Sequence, residues 1–187
     1  MQKKLPLLLI VGVLLITGLY LFYKQQTSNL TPPQSLPDSS KCNMTPTPPQ
    51  AEGPYYKTDS PERTNIAKDV TGEKLIIKGV VFDKNCKPIS GAWLDFWQAG
   101  ADGQYDNTGY KLRGHQYTDQ DGKFTLETVV PARYSTRPPH IHLKVRAGDG
   151  PTLTTQLYFP DTAVSKELIL DIKEADGVKQ ATFNFVL

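Results

Sequence analysis

His140-Ile141-His142 holds two of the three histidines in this 187-residue chain. Ile141, Leu143 and Val145 alternate there with His140, His142 and Lys144, the period of a strand. Side chains on a strand alternate faces, so the two imidazoles share a face, with roughly 7 Å between their positions. At that separation two ring nitrogens can reach one metal ion. A metal site needs three or four ligands. No histidine follows His142, which argues against a cupin-type set, and a third imidazole would have to be His115. The two cysteines lack zinc-knuckle spacing. Tyrosine is the other candidate donor: a phenolate is a hard anionic oxygen suited to ferric iron, and a bound cation drives its deprotonation. Tyr134 stands six residues before His140, and Tyr105, Tyr110 and Tyr117 are further candidates. From these residues alone the metal and its remaining ligands stay open.

The elements around the pair read as an all-β fold. Fifteen prolines and fourteen glycines, with many Tyr, Val, Ile and Thr, favour short strands and many turns. Strands are expected at 74–83, 92–97, 123–129, 140–145, 152–159 and near 180–186. Turns are expected over 85–91 and 119–122, and 165–172 reads as one helical turn or another strand. Short strands at this spacing predict an antiparallel β-sandwich. Trp93, Trp97, Phe82 and Phe124 are its expected core aromatics.

Ahead of the domain, residues 1–24 read as a membrane anchor. Lys3 and Lys4 precede a run from Leu5 to Tyr23 that carries no charge, long enough to span a bilayer as a helix. The flanking lysines predict a cytoplasmic N-terminus with the rest outside the cytoplasm, periplasmic or extracellular. A cleaved signal peptide, giving a secreted protein, is the rival reading. Residues 25–50 are rich in Ser, Thr, Pro, Gln and Asn and read as a flexible tether, leaving 51–187 as the β-sandwich domain. Export favours a disulfide between Cys42 and Cys86 over two free thiols.

A set of motifs occurs in one order: Gly53-Pro-Tyr-Tyr56, Gly91-Ala-Trp-Leu-Asp-Phe-Trp-Gln98, Asp102-Gly-Gln-Tyr105, Leu112-Arg-Gly114, Thr118-Asp119, Gly122-Lys-Phe124, Tyr134, Arg137-Pro-Pro-His-Ile-His142 and Thr154-Thr-Gln-Leu-Tyr-Phe159. Together they resemble the intradiol ring-cleaving dioxygenases, the catechol and protocatechuate 3,4-dioxygenase group, and within it the secreted or membrane-anchored branch. The resemblance runs from about Cys42 to the C-terminus. It implies a non-haem Fe(III) held by Tyr105, Tyr134, His140 and His142. Tyr134 matches the ligand that leaves when substrate binds. Arg137 matches the arginine that stabilises charge developing on the ring, and Gln156 a glutamine near it. The implied partners are a catechol-type molecule and dioxygen, and the implied product is a muconate-type dicarboxylate. Two residues, Ser135 and Thr136, separate Tyr134 from Arg137, where the protocatechuate enzymes have a longer loop over the substrate. The resemblance leaves the identity of the catechol open.

A net charge of +2 gives no sign of a nucleic-acid surface, and the membrane is met through the N-terminal segment. A homo-oligomer is compatible with the sequence. Arg113, Arg133 and Arg146 read as surface charges, with a substrate carboxylate as the alternative partner. The competing function is a transthyretin-like β-sandwich binding module that keeps the fold without a catalytic metal.

Overall fold

The computed structural model describes residues 43–160, 162 and 164–187 of the chain, within the unit Ser39–Leu187. Nine strands are present among these residues: β1 (Lys74–Phe82), β2 (Trp93–Gln98), β3 (Arg113–Tyr117), β4 (Lys123–Val129), β5 (His140–Arg146), β6 (Leu153–Tyr158), β7 (Asp171–Ala175), β8 (Val178–Thr182) and β9 (Phe185–Val186). They form two sheets. One runs β4-β1-β8-β7 with β9 also on β1; the other runs β3-β2-β5-β6. The fold is all-β, as expected.

The period-two pattern explains the core. Leu75, Ile77 and Val81 of β1, Phe124 and Leu126 of β4, Leu94 and Phe96 of β2, Ile141, Leu143 and Val145 of β5 and Leu157 of β6 are buried in one apolar cluster. Lys74 and Lys78 of β1 and Lys123 and Glu127 of β4 face solvent.

Several expectations are corrected. The pairing is not wholly antiparallel: β8 and β9 both run parallel to β1. The segment expected near 180–186 is two strands, because the chain jogs at Phe183-Asn184. Gly79 makes room for the jog, since a Cβ there would lie 1.7 Å from the Phe183 carbonyl oxygen. The Asn184 side chain takes the hydrogen bond of the Val80 amide at 3.0 Å. The stretch from Ser165 holds both alternatives, a 3-10 turn at Lys166–Leu168 and then β7. β3 carries Arg, Gly, His and Gln ahead of a single strand former, Tyr117, so its sequence signal as a strand is weak. Of the expected core aromatics, Phe124 lies in the core, while Phe82 and Trp93 are half-buried. Trp97 is buried on the opposite face of its sheet, in a cluster with Tyr105.

That opposite face is buried because the N-terminal lead crosses it. The lead's bonds meet the strands in spatial order: Gln50 N to Thr154 O on β6 (2.9 Å), Glu52 to Lys144 on β5, Tyr56 OH to Asp95 Oδ2 on β2 (3.1 Å), and Arg63 N to His115 O on β3 (2.8 Å). Among the described residues this bonding begins at Thr47, whose amide donates to Val186 O at 3.0 Å, inside the stretch expected to be tether. The expected anchor at 1–24 and Cys42 lie outside the described residues. Cys86, in the turn after β1, is disulfide-bonded. Among the described residues no helix is long and apolar enough to cross a membrane.

Candidate metal centre

Register sets the first part of the site. His142 on β5 stands opposite Trp97 on β2 and Gln156 on β6, and His140 stands opposite Tyr158. All five project from the outer face beneath the lead. The His142 ring stacks on Trp97 with centroids 4.9 Å apart and planes 9° apart. The Nε2 atoms of His140 and His142 lie 2.9 Å apart, and the Tyr105 hydroxyl is 3.4 Å from His140 Nε2.

Tyr105 arrives on the loop after β2. Its turn is closed by Gly100 N donating to Gln104 O (2.9 Å) and docked by Ala132 N donating to Gly100 O (2.9 Å). Gly103 is required there: its φ is 75°, and a Cβ would lie 2.5 Å from the Arg133 carbonyl oxygen. Tyr134 and Arg137 are the two ends of one tight turn, bonded Arg137 N to Tyr134 O at 2.8 Å, with Ser135 at φ 52°. Tyr55 comes from the lead. Its ring stacks on Tyr105 with centroids 4.3 Å and planes 10° apart, and its hydroxyl bonds the Tyr134 hydroxyl. Tyr134 also sets its edge against Tyr105, with centroids 5.5 Å apart.

The tautomers follow from the partners. His140 Nδ1 must donate to the Pro138 carbonyl (2.7 Å), which leaves a lone pair on Nε2. His142 Nε2 meets that lone pair, while His142 Nδ1 is buried without a partner. Burial holds the His142 imidazole neutral, pushing it to about 3, with the neighbouring His140 and Arg137 charges adding to the effect. Burial lowers His140 as well. Burial pushes Tyr105 up to about 12, while Arg113 and Arg137 pull it back down.

This donor set fits a cation. The two Nε2 atoms are buried, neutral and 2.9 Å apart, close enough for both to turn toward one cation. A cation there would take the place of the proton the two nitrogens now share. Among the described residues no cluster of three or more His, Cys, Asp or Glu could hold a metal ion, so the donors beside the pair are phenols. Arg137 is exposed, yet its Nη2 donates to Gln156 Oε1 (2.8 Å) and Tyr158 OH (3.1 Å). Gln156 is fixed in turn by donating to Ala51 O at 2.6 Å.

The structure therefore gathers Tyr105, Tyr134, His140, His142, Arg137 and Gln156 in one region. His115 is elsewhere: its Nδ1 donates to Ser60 O at 2.6 Å. Tyr110 bonds Thr58 O, and Tyr117 is exposed. Arg133 and Arg146 are exposed, as expected, and Arg146 lies over the Trp93 ring. Arg113 is a correction. It is buried at 1% exposure, not a surface charge, because the lead and the Tyr105 loop close over it. Tyr55, Trp97 and Tyr158 also belong to the site. All three stand in the quoted motifs, but nothing in the sequence assigned them a place there.

Residues 51–186 match the family described as "Dioxygenase". The chain belongs to the intradiol dioxygenase family. A solved relative is the dioxygenase domain of a dioxygenase–carbohydrate-binding protein fusion from the cellulolytic bacterium Streptomyces sp. SirexAA-E, at 46% identity and TM-score 0.74, covering 76% of this chain and 98% of that one. 3-Chlorocatechol 1,2-dioxygenase from Rhodococcus opacus 1CP is 30% identical with TM-score 0.68, over 73% of this chain and 69% of that one. Catechol 1,2-dioxygenase from Acinetobacter baylyi is 32% identical over 59% of this chain and 45% of that protein. The chain spans about half the length of the first curated relatives it matches. In this chain the segment that closes over the donors is its own lead.

Proposed function

We propose that this member of the family cleaves a catechol-type ring between its two hydroxylated carbons, consuming dioxygen and yielding a muconate-type dicarboxylate. The observation that carries the reading is the meeting of His140 Nε2, His142 Nε2 and the Tyr105 hydroxyl, with Tyr134 packed on Tyr105. Tyr105, Tyr134, His140 and His142 would hold ferric iron. When bound, that ion supplies Lewis acidity and a template for the catecholate.

The chain's own residues do the rest. The two imidazoles stay neutral through burial; His140 keeps its Nε2 lone pair for the cation, and His142 would free its own by carrying its proton on Nδ1 instead. Tyr134 sits at the end of a two-residue turn; as a phenolate donor it would accept a proton from a substrate hydroxyl, as general base, and become the neutral phenol. The Tyr55 hydroxyl is in place to hold it afterwards. Arg137 puts a fixed positive charge beside the ring where negative charge grows, and Gln156 and Tyr158 orient its guanidinium. A metal-free binding module of the same fold would have no use for two buried imidazole Nε2 atoms set 2.9 Å apart beside a phenol.

The reading extends to the chain's location. Residues 1–24 would anchor it with the catalytic domain outside the cytoplasm, the setting in which a disulfide at Cys86 persists. Membrane fractionation and protease protection of the full chain test this, and a protein found in the cytosolic fraction removes it. The test of the chemistry is expression with iron, an absorption spectrum, and oxygen uptake on a panel of catechols with product spectra. The expected protein is wine-red from phenolate-to-iron charge transfer, and catechol shifts the band. A folded protein that stays colourless and iron-free overturns the proposal.

A further inference from the structure

Arg113 is 1% exposed, although β3 is an edge strand. Its guanidinium is spent on backbone. Nη1 donates to Tyr55 O at 2.6 Å, and Nε and Nη2 both donate to Asp106 O at 3.1 Å. Those two carbonyls belong to the lead and to the loop that carries Tyr105. The carboxylate of Asp106 is turned away, accepting from the amides of Thr108, Gly109 and Lys111. No ion pair of Arg113 with a carboxylate occurs among the described residues. A second arginine secures the first: Arg63 Nε, from the lead, donates to the Arg113 carbonyl at 2.9 Å.

A buried cation held by carbonyls alone is costly to keep. Stapling two loops does not require charge, because an amide side chain can donate to carbonyls too. What the charge adds is a fixed positive group held on the carbonyl of Asp106, the residue next to Tyr105 in the loop, with no carboxylate paired to it. The planar fork of Arg also reaches two carbonyls at fixed angles, which a lysine ammonium cannot reproduce.

We propose that Arg113 is a positioning residue of the metal centre: it locks the Tyr105 loop to the Tyr55 segment, sets the stacked ring pair against His140, and supplies the buried positive charge that a Tyr105 phenolate balances. The inference rests on the reading of Tyr105 as a ligand of ferric iron. It also explains why Arg113 takes no substrate carboxylate, since its fork already faces two backbone oxygens under the lead.

The test compares wild type, R113K and R113M for iron content, visible spectrum, thermal midpoint, and kcat and KM on catechol. R113M loses the charge beside the donor phenolate, so its charge-transfer band moves to lower energy. Its kcat falls on the order of 10–100-fold with KM nearly unchanged, the mark of a misplaced group rather than lost binding. R113K keeps the charge and a band near that of wild type, but lacks the fork and recovers little of kcat. If R113M is not obtained folded, R113K alone decides, through its near-native band and reduced kcat. R63M serves as the comparator for loss of a loop clamp and lowers the thermal midpoint without moving the band. A red, active wild type with R113K fully active, or with R113M unshifted in band and kcat and lowered only in thermal midpoint, overturns this inference alone. A colourless wild type overturns the ferric reading and this inference with it.

Discussion

Tyr55 and Tyr134 meet hydroxyl to hydroxyl, although 79 residues separate them in the chain. The contact joins the lead to the turn that carries Arg137. It also raises the Tyr55 phenol above its ordinary range, because the Tyr134 hydroxyl is the bonding partner of its neutral form. Tyr55→Phe keeps the ring stack on Tyr105 and deletes this one bond. The expected result is unchanged iron content with kcat lower by about tenfold, the size of one such hydrogen bond. Tyr134→Phe goes further and loses ring cleavage, and His142→Ala loses iron. Oxygen uptake and metal analysis check all three. Full iron and full activity in both Tyr134→Phe and His142→Ala would show that the ligand assignment is wrong.

The guanidinium of Arg137 is aimed by Gln156 Oε1 and Tyr158 OH. If its charge acts on the transition state, Arg137→Met reduces kcat on the order of 10²–10³-fold, as loss of a preorganised charge or donor does. Tyr158→Phe removes one aiming bond and costs about fivefold. Steady-state kinetics on one catechol separate the two. Equal losses in both variants would mean that aiming, not charge, is the contribution of Arg137.

The histidine pair was more legible in the sequence than the fold around it. The alternation in His140-Ile-His142 is a local property, and local properties survive folding, so both imidazoles share a face as expected. Phe124, in a strand with one solvated face, was equally readable. Trp97 misled because β5 and β2 are buried on both faces, and period two does not say which face is the core. Arg113 misled for a related reason: its burial comes from a lead more than 50 residues earlier folding across the sheet, a contact with no local trace. The parallel pairing of β1 with β8 is likewise a matter of topology, which turn residues do not encode. The two phenols beside the histidine pair were not derivable from spacing and came from the family resemblance.

Acid should loosen the iron-free protein through the histidine pair. Burial holds His142 near about 3 and lowers His140, against an ordinary value of 6.5. The unfolded chain therefore binds protons that the folded chain refuses. Stability is full above the unfolded value and declines as pH falls from 6.5 toward about 3. The loss is on the order of a few kcal/mol for a buried imidazole with a shift of this size. Urea midpoints of iron-free protein across that window read it directly. His142→Gln removes most of the slope, and a slope that persists in the variant would assign the effect to other groups.

Gly53 tests how closely the lead fits the centre. It stands at φ 73°, and a Cβ there would lie 3.3 Å from His142 Cε1 and 3.8 Å from Nε2. Alanine at this position carries two penalties, the left-handed backbone at about 1–2 kcal/mol and pressure on the His142 ring already stacked on Trp97. Gly177 separates them, with φ 72° and nothing within 4 Å of its added Cβ. Gly177→Ala should therefore lower the thermal midpoint alone, leaving iron affinity and spectrum as in wild type. Gly53→Ala should lower the midpoint by a similar amount and also weaken iron binding, because the His142 ring must turn off the line it shares with His140. Iron titration of the two variants side by side decides the matter. Equal iron affinities would mean that the lead covers the centre without constraining it.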